Sequence, residues 1–277
     1  MPVNARKLIR KMRGGAQSHL IEADDGRFYV VKFQNNPQHR RILVNEWIAS
    51  RFLEYLQIAV PATAIVRLSE EFLEENPEVY IQLGNRRSAV AAGWHFGSCF
   101  PGDPATVAVY DFVPDTLLSK VENISEFLGI LVFDKWTANA DARQSIFLRA
   151  RLREFARAVA DHPLRTGFVA LMMDHGYIFN GPHWDYPDSP LQGMYFRPMV
   201  YEKVNGWDSF QPWLDRVIHF PESVVDEAYR SIPPEWVRGD EEALEAMLEN
   251  LMRRRKRVAE LIKGCSEGRV RPFPNWK

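Results

Sequence analysis

Near the N-terminus, apolar and polar positions alternate in short runs that predict strands, and further along a 3.6-residue apolar period predicts helices. Residues 4–12, NARKLIRKM, set Leu8, Ile9 and Met12 among basic residues and fit a lead-in strand or a short helix. After Arg13-Gly14-Gly15-Ala16-Gln17-Ser18-His19 come LIEA, Asp24-Asp25-Gly26 and FYVVKF. Asp-Gly between two β-like runs signals a hairpin, so this part reads strand, glycine-rich turn, strand, hairpin, strand. Residues 37–57 carry Ile42, Leu43, Trp47, Ile48, Phe52 and Leu56 at helical spacing, and Pro37 suits the helix start. Residues 58–68 and 79–92 predict further strands, and the Gly- and Pro-rich stretch 93–104, GWHFGSCFPGDP, predicts a hinge.

Beyond the hinge the pattern is mainly helical. It predicts an apolar helix over 116–136, a second helix or helical hairpin over the Arg-, Ala- and Leu-rich residues 148–161, and a buried strand that ends at Asp174-His175-Gly176. Pro233-Pro234 separates two later segments. Asp240 is the expected N-cap of a helix with acidic early turns and basic later ones, an order that suits the helix dipole. The tail RVRPFPNWK is expected to fold Phe273 and Trp276 back onto the body. The fold class is therefore α+β. A small, mainly antiparallel β lobe with one helix occupies residues 1–100, a larger, mainly helical lobe with a helical extension occupies 101–277, and a cleft lies between them.

Composition narrows the class only modestly. A chain of 277 residues, 46% hydrophobic and 26% charged, can bury a substantial core. Its 35 Lys and Arg nearly balance 36 Asp and Glu, which argues against nucleic-acid binding by bulk charge. The local run Arg253-Arg254-Arg255-Lys256-Arg257 is either a solvated face or a contact for RNA or an acidic partner. Cys99 and Cys265 lie far apart, the N-terminus does not resemble a signal peptide, and no apolar run reaches membrane-spanning length. A cytoplasmic protein with reduced thiols and no membrane contact is expected. His175, His183 and His219 lack zinc-type spacing.

The candidate chemistry centres on residues 133–147, FDKWTANADARQSIF, where Asp134, Asn139, Asp141, Arg143 and Gln144 follow an apolar run. Such a cluster either makes an ordinary polar turn or handles a proton and a metal. Gly14 and Gly15 form a plain turn or let backbone amides approach a phosphate, with Ser18 close behind. Lys32, inside YVVKF, either lies on an exposed sheet face or points to the cleft, and Glu46, on the flank of the 37–57 helix, is either solvated or paired with it. Asp174, at the end of an apolar strand with Gly176 two residues on, can present a carboxylate to a metal ion. The aromatic, Pro- and Gly-rich stretch 180–213 either packs across the larger lobe or forms part of an acceptor surface.

The order GGAQS, Lys32, Glu46, NADARQ and MMDHG resembles the protein-kinase-like superfamily, in particular the bacterial HipA-like kinase domain family, over about residues 10–215. The resemblance implies an ATP- and Mg²⁺-dependent kinase that phosphorylates Ser or Thr of a protein. Asp141 would be the base, and Gly14, Gly15, Ser18, Lys32 and Glu46 would hold the nucleotide. Asp174 would bind the metal, with Asn139 at the first position of the catalytic-loop motif. Arg143 stands where the family has His, to offset transition-state charge or to form a salt bridge, and Ile146 stands where it has a metal-binding Asn, with Gln144 as a substitute. In a second register, Asp134 is the base and Asn139 the metal ligand; Asp141 is the preferred base, because Asp134 directly follows the apolar run and can instead be a buried anchor for the loop. Readings outside a protein kinase are a nucleotide-binding pseudokinase that docks a partner, and a small-molecule or lipid kinase.

Overall fold

The alternating segments close on themselves as a barrel. In this computed structural model, which describes residues 2–152, 165–267 and 270–277, the strands β1 (Val3–Lys11), β2 (His19–Ala23), β3 (Phe28–Lys32), β4 (Thr63–Leu68) and β7 (Gly93–Cys99) form a closed barrel in the order β1-β2-β3-β7-β4. All pairs are antiparallel except β1 with β4. Asp24-Asp25-Gly26 makes the β2–β3 hairpin, with Gly26 at φ +76° and its N–H donating to the Ala23 carbonyl. Ile21, Val31, Phe33 and Val66 point inward and are fully buried.

Helix α1 (Arg41–Leu56) follows β3. It is buried along most of its circumference, because it packs on the barrel on one side and on the helices of the C-terminal part on the other. After β4 come the short α2 (Glu70–Glu75) and the two-stranded hairpin β5 (Tyr80–Leu83) and β6 (Arg86–Ala89).

The C-terminal part opens with β8 (Val109–Tyr110), α3 (Asp115–Leu118) and the apolar α4 (Glu126–Thr137). Strands β9 (Gln144–Arg151) and β10 (Thr166–Met173) pair antiparallel, with β8 on the other edge of β9. The remainder holds α5 (Trp213–Ile218), α6 (Glu222–Arg230), α7 (Pro234–Val237), α8 (Glu241–Arg254) and α9 (Val258–Glu267). Among the described residues no helix is long and apolar enough to cross a membrane.

Several expectations change. Residues 93–99 are a central barrel strand rather than part of a hinge. Gly97 is needed there because a Cβ would lie 2.5 Å from the Val66 side chain. The helix expected over 116–136 is two, separated where the Asn123 side chain bonds both the N–H and the C=O of Ala170 at 2.8 Å. Residues 148–151 extend a strand, since Leu148 and Ala150 pair across to Val169 and Gly167; of the helix expected over 148–161, residues 153–161 lie outside the described residues. Asp240 does sit at the N-cap of α8, but its carboxylate binds Arg41 at 2.5 Å and Arg40 at 3.3 Å instead of the helix amides. The tail behaves as expected: Phe273 stacks on Trp276, and both pack against Phe210.

Candidate active site

The barrel and the helical part meet around a cleft of about 980 Å³. Gly14, Gly15 and Ser18 form one side of it, at the turn between β1 and β2. Gly14 has φ +117°, a conformation that L side chains rarely adopt, so this bend depends on glycine. Lys32 enters at the end of β3, Glu46 from α1, Asp141, Arg143 and Gln144 from the loop and strand after α4, and Asp174 from the end of β10.

At the centre Lys32 bridges two carboxylates. Its Nζ donates to Glu46 and lies 2.7 Å from Asp174 Oδ1. Burial alone would lower the Lys32 pKa, but the charges of Glu46 and Asp174 outweigh it and raise the ammonium above the ordinary lysine value. The same lysine charge holds Asp174 below the usual carboxylate range, against a smaller opposing effect of burial. Burial pushes Glu46 upward, opposed by Lys32. Glu46 also accepts the His175 backbone N–H at 3.1 Å through its second oxygen, so α1 fixes both the lysine and the turn that carries Asp174.

That turn is strained and clamped. Asp174 has φ +58°, an uncommon left-handed conformation for a residue other than glycine. The neighbour of Glu46 on α1, Asn45, is fully buried and donates to the carbonyls of Gly176 (2.7 Å), Ile178 (3.1 Å) and Gly181 (2.9 Å), while accepting from Trp184 Nε1 at 2.8 Å. Periodicity gave no hint of this role, since a single Asn inside an apolar helical stripe has no distinctive spacing. Its polarity on a buried face was the available signal.

The catalytic-loop candidates separate into two layers. Asp141 and Gln144 line the cleft. Asp141 Oδ1 accepts the Ala142 N–H at 2.7 Å, and Gln144 Nε2 approaches Asp141 Oδ2 at 3.4 Å. Asp134 and Asn139 lie behind the cleft wall, each with 0% exposure. Arg143 Nε donates to Asp134 Oδ2 at 2.8 Å and Nη2 donates to Oδ1, while Asn139 Nδ2 donates to Asp134 Oδ1 at 3.0 Å. Burial raises the Asp134 pKa, and Arg143 opposes that effect by charge and hydrogen bonding. Asn139 Oδ1 is occupied as well, accepting the Asp141 N–H at 3.1 Å. The geometry thus uses both ends of the Asn139 amide inside the loop, and it buries Asp134 away from the cleft.

Arg143 continues to the carbonyl of Met173 at 2.8 Å and to His175 Nδ1 at 3.0 Å, which ties the Asp141 loop to the Asp174 turn. His175 is held well below its usual pKa, first by burial and then by Arg143, and is neutral. Ile146 is buried on β9 opposite Leu171 and offers no amide; Gln144, two residues earlier and therefore on the same strand face, sits opposite Met173, next to Asp174. Among the described residues no cluster of three or more His, Cys, Asp or Glu groups has metal-binding geometry.

Part of 180–213 reaches the cleft. The Gly193 N–H donates to the Asp141 carbonyl at 3.2 Å and the Arg143 N–H to the Met194 carbonyl at 3.1 Å, and Tyr195, Phe196 and Arg197 line the cleft. Most of the rest packs inward, with Tyr201 and Phe210 fully buried. The basic run at the end of α8 is not a continuous exposed face, because Arg254 is buried and Arg255 donates to the Phe220 carbonyl at 2.7 Å.

A barrel and a helical part around a cleft holding a glycine turn, a Lys–Glu pair and two aspartates define a protein-kinase-like protein. Solved structures agree on the fold. The Golgi casein kinase matches with a TM-score of 0.52 at 12% identity, covering 96% of this chain and 74% of that one. A structure of the same kinase with Mn/ADP bound matches at 0.50 and 12%, covering 96% and 73%. A structure of hydra Fam20 with sugar matches at 0.51 and 11%, covering 96% and 86%. Among curated proteins, none matches. Residues 6–147, about half of the chain, match the HipA-like kinase family, and the chain belongs to that family. The matched span holds the glycine turn, Lys32, Glu46 and Asp141, while Asp174 lies beyond it.

Proposed function

We propose that this protein is a kinase that uses ATP and Mg²⁺ and transfers the γ-phosphoryl group to a Ser or Thr hydroxyl of a polypeptide. The observation that carries this reading is the bridge from Lys32 to both Glu46 and Asp174, in a cleft that also holds the Gly14-Gly15 turn and Asp141. The chain then works as two lobes, residues 1–100 holding the nucleotide and 101–277 carrying the loop and acceptor side, the division falling just past the end of β7 at Cys99.

The donor set fits a nucleotide and its metal. Only Oδ1 of Asp174 is engaged, by Lys32, and among the described residues nothing donates to Oδ2, so a hard cation finds an available carboxylate oxygen there. At the neighbouring position, Gln144 engages Asp141 through its Nε2, and among the described residues nothing donates to its amide oxygen. When bound, the metal neutralises charge on the phosphates. Lys32 and the backbone amides of the glycine turn hold the phosphate chain, and Glu46 keeps the lysine oriented. Asp141 accepts the proton of the acceptor hydroxyl. Asp134, Asn139 and Arg143 act by positioning this loop rather than by touching substrate.

The test is thermal unfolding with saturating ATP, with and without Mg²⁺, for the wild type and Asp174→Asn. Asn tolerates the left-handed backbone at this position, so the variant removes charge without adding strain. At a hundred times its dissociation constant the nucleotide adds about 2.7 kcal/mol of stability. A Mg²⁺-dependent shift lost in Asp174→Asn supports the reading, and no shift at saturating ATP overturns it. One observation favours a second reading: with Ile146 in place of an amide, metal binding rests on Asp174 and Gln144 alone. A nucleotide-binding pseudokinase would show an ATP shift that ignores Mg²⁺.

A further inference from the structure

At the mouth of the cleft two phenylalanines face solvent. Phe112 is 65% exposed and Phe196 63% exposed, both line the cleft that holds Asp141 and Asp174, and Tyr110, 46% exposed, stands two residues from Phe112. Single exposed apolar side chains are ordinary on a protein surface, whereas two large ones that both line one cleft beside candidate catalytic groups mark a contact site. The Phe112 ring is also held in place. The Arg197 guanidinium lies 4.6 Å from the Phe112 ring centroid and is itself anchored on the Val113 carbonyl at 3.0 Å and on Asp115. Phe196 sits one residue before Arg197, in the segment whose Gly193 and Met194 backbone groups bond Asp141 and Arg143.

This coupling gives the rim a fixed relation to the loop that would take the acceptor proton. An acceptor lodged wholly on the cleft floor would leave the two rings in water, whereas one that crosses the rim covers them. We infer that Phe112 and Phe196 form an acceptor subsite for a bulky apolar side chain close to the phosphorylated Ser or Thr of a polypeptide. The inference rests on the kinase reading above. Covering the rings removes apolar area from water, and Arg197 preorganises the Phe112 half of the rim, so less ordering is needed there on binding.

The experiment uses the full chain with Mg²⁺-ATP and a degenerate peptide library around a central Ser or Thr, comparing wild type with the Phe112→Ala/Phe196→Ala double variant. Both rings are exposed, so truncation leaves the fold intact. The wild type is expected to select Phe, Leu, Ile or Met at one position near the acceptor. The double variant is expected to lose that selection, with KM for the selected peptide rising about 10- to 100-fold and kcat changing less. A Phe112→Leu/Phe196→Leu variant restores most of the preference. The inference is overturned if the double variant keeps the selection, if the wild type shows none, or if ATP binds but only a lipid or small molecule is phosphorylated. Absence of any ATP-dependent thermal shift in the wild type would instead remove the kinase reading, and this inference with it.

Discussion

Arg143 and Asp134 neutralise each other out of reach of water: both side chains are fully buried, Nε lies 2.8 Å from Oδ2, and Nη2 takes Oδ1. The remaining Nη1 reaches the Met173 carbonyl and His175, so one guanidinium joins the loop that carries Asp141 to the turn that carries Asp174. Gly193 closes over this pair. It has φ +67°, and a Cβ there would lie 2.1 Å from the Asp134 Cβ. Removing one partner of a buried ion pair strands the other charge. Asp134→Asn is therefore expected to destabilise the protein by ~3–5 kcal/mol in denaturant unfolding.

Asp141 should behave in the opposite way. It lies at the cleft, and its Oδ1 accepts one local backbone N–H that an Asn oxygen can keep. Asp141→Asn is expected to change stability by less than about 1 kcal/mol while lowering phosphate transfer by roughly 10²- to 10⁴-fold. Measured side by side, stability and turnover separate the two aspartates. If Asp134→Asn folded normally and lost only turnover, Asp134 would be the base.

Local pattern was enough to locate β2, β3 and α1, because strict alternation and a helical stripe report which faces are buried. Those elements left Lys32 and Glu46 open between solvent and a mutual pair; the pair was what the kinase resemblance implied, and the structure forms it. Residues 93–99 defeated the pattern, since Gly97 is small to let Val66 approach and so looks like a breaker. Residues 148–151 belong to a stretch rich in the helix formers Arg, Ala and Leu, and pairing with β10 overrides that propensity in favour of a strand. The layered arrangement of the catalytic loop was legible only as open alternatives, Asp134 as a base or a buried anchor and Arg143 as a charge at the transition state or a salt-bridge partner, and the structure takes the second of each. Asp134, Asn139, Asp141 and Arg143 lie within ten residues of each other, but what buries two of them comes from Gly193 and Met173, far along the chain. The clamp by Asn45 has the same origin, in carbonyls more than 130 residues away.

Glu126 predicts a pH dependence. Burial pushes its carboxyl up to about 7 from 4.5, against hydrogen bonds from the Ala59 N–H (2.7 Å) and Asn123 (3.1 Å). The folded protein thus binds this proton more tightly than the unfolded chain between pH 4.5 and 7. The resulting stability is fully present below pH 4.5 and is lost as pH rises through about 7. Other groups act in the reverse sense: His95 is held down to about 4, chiefly by burial, and gives stability that is lost as pH falls toward 4. The difference between wild type and Glu126→Gln isolates the carboxyl. Gln keeps an oxygen for the Ala59 N–H, so the variant should gain roughly 1–3 kcal/mol relative to wild type on going from pH 5 to pH 8. Denaturant unfolding at the two pH values checks it, and parallel curves would refute the assignment.

Arg254 closes the C-terminal end of α4. Its Nε donates to the Trp136 carbonyl at 2.9 Å and its Nη2 to that of Lys135 at 3.2 Å, two of the last carbonyls of a helix that has no later turn to use them. Its Nη1 pairs with Asp188 at 2.7 Å, and Trp136 in turn donates to the Leu251 carbonyl at 2.9 Å, so α4 and α8 are fastened at one point. Arg254→Ala leaves both carbonyls buried without a donor and is expected to cost about 2–4 kcal/mol. Arg253 is exposed and, among the described residues, pairs with Glu249 alone, one turn away on its own helix at 3.0 Å, so Arg253→Ala should stay within about 0.5 kcal/mol. If this run were instead an RNA contact, the two substitutions would weaken RNA binding alike and reduce its salt dependence. Equal stabilities together with salt-dependent RNA binding would overturn the structural role assigned to Arg254.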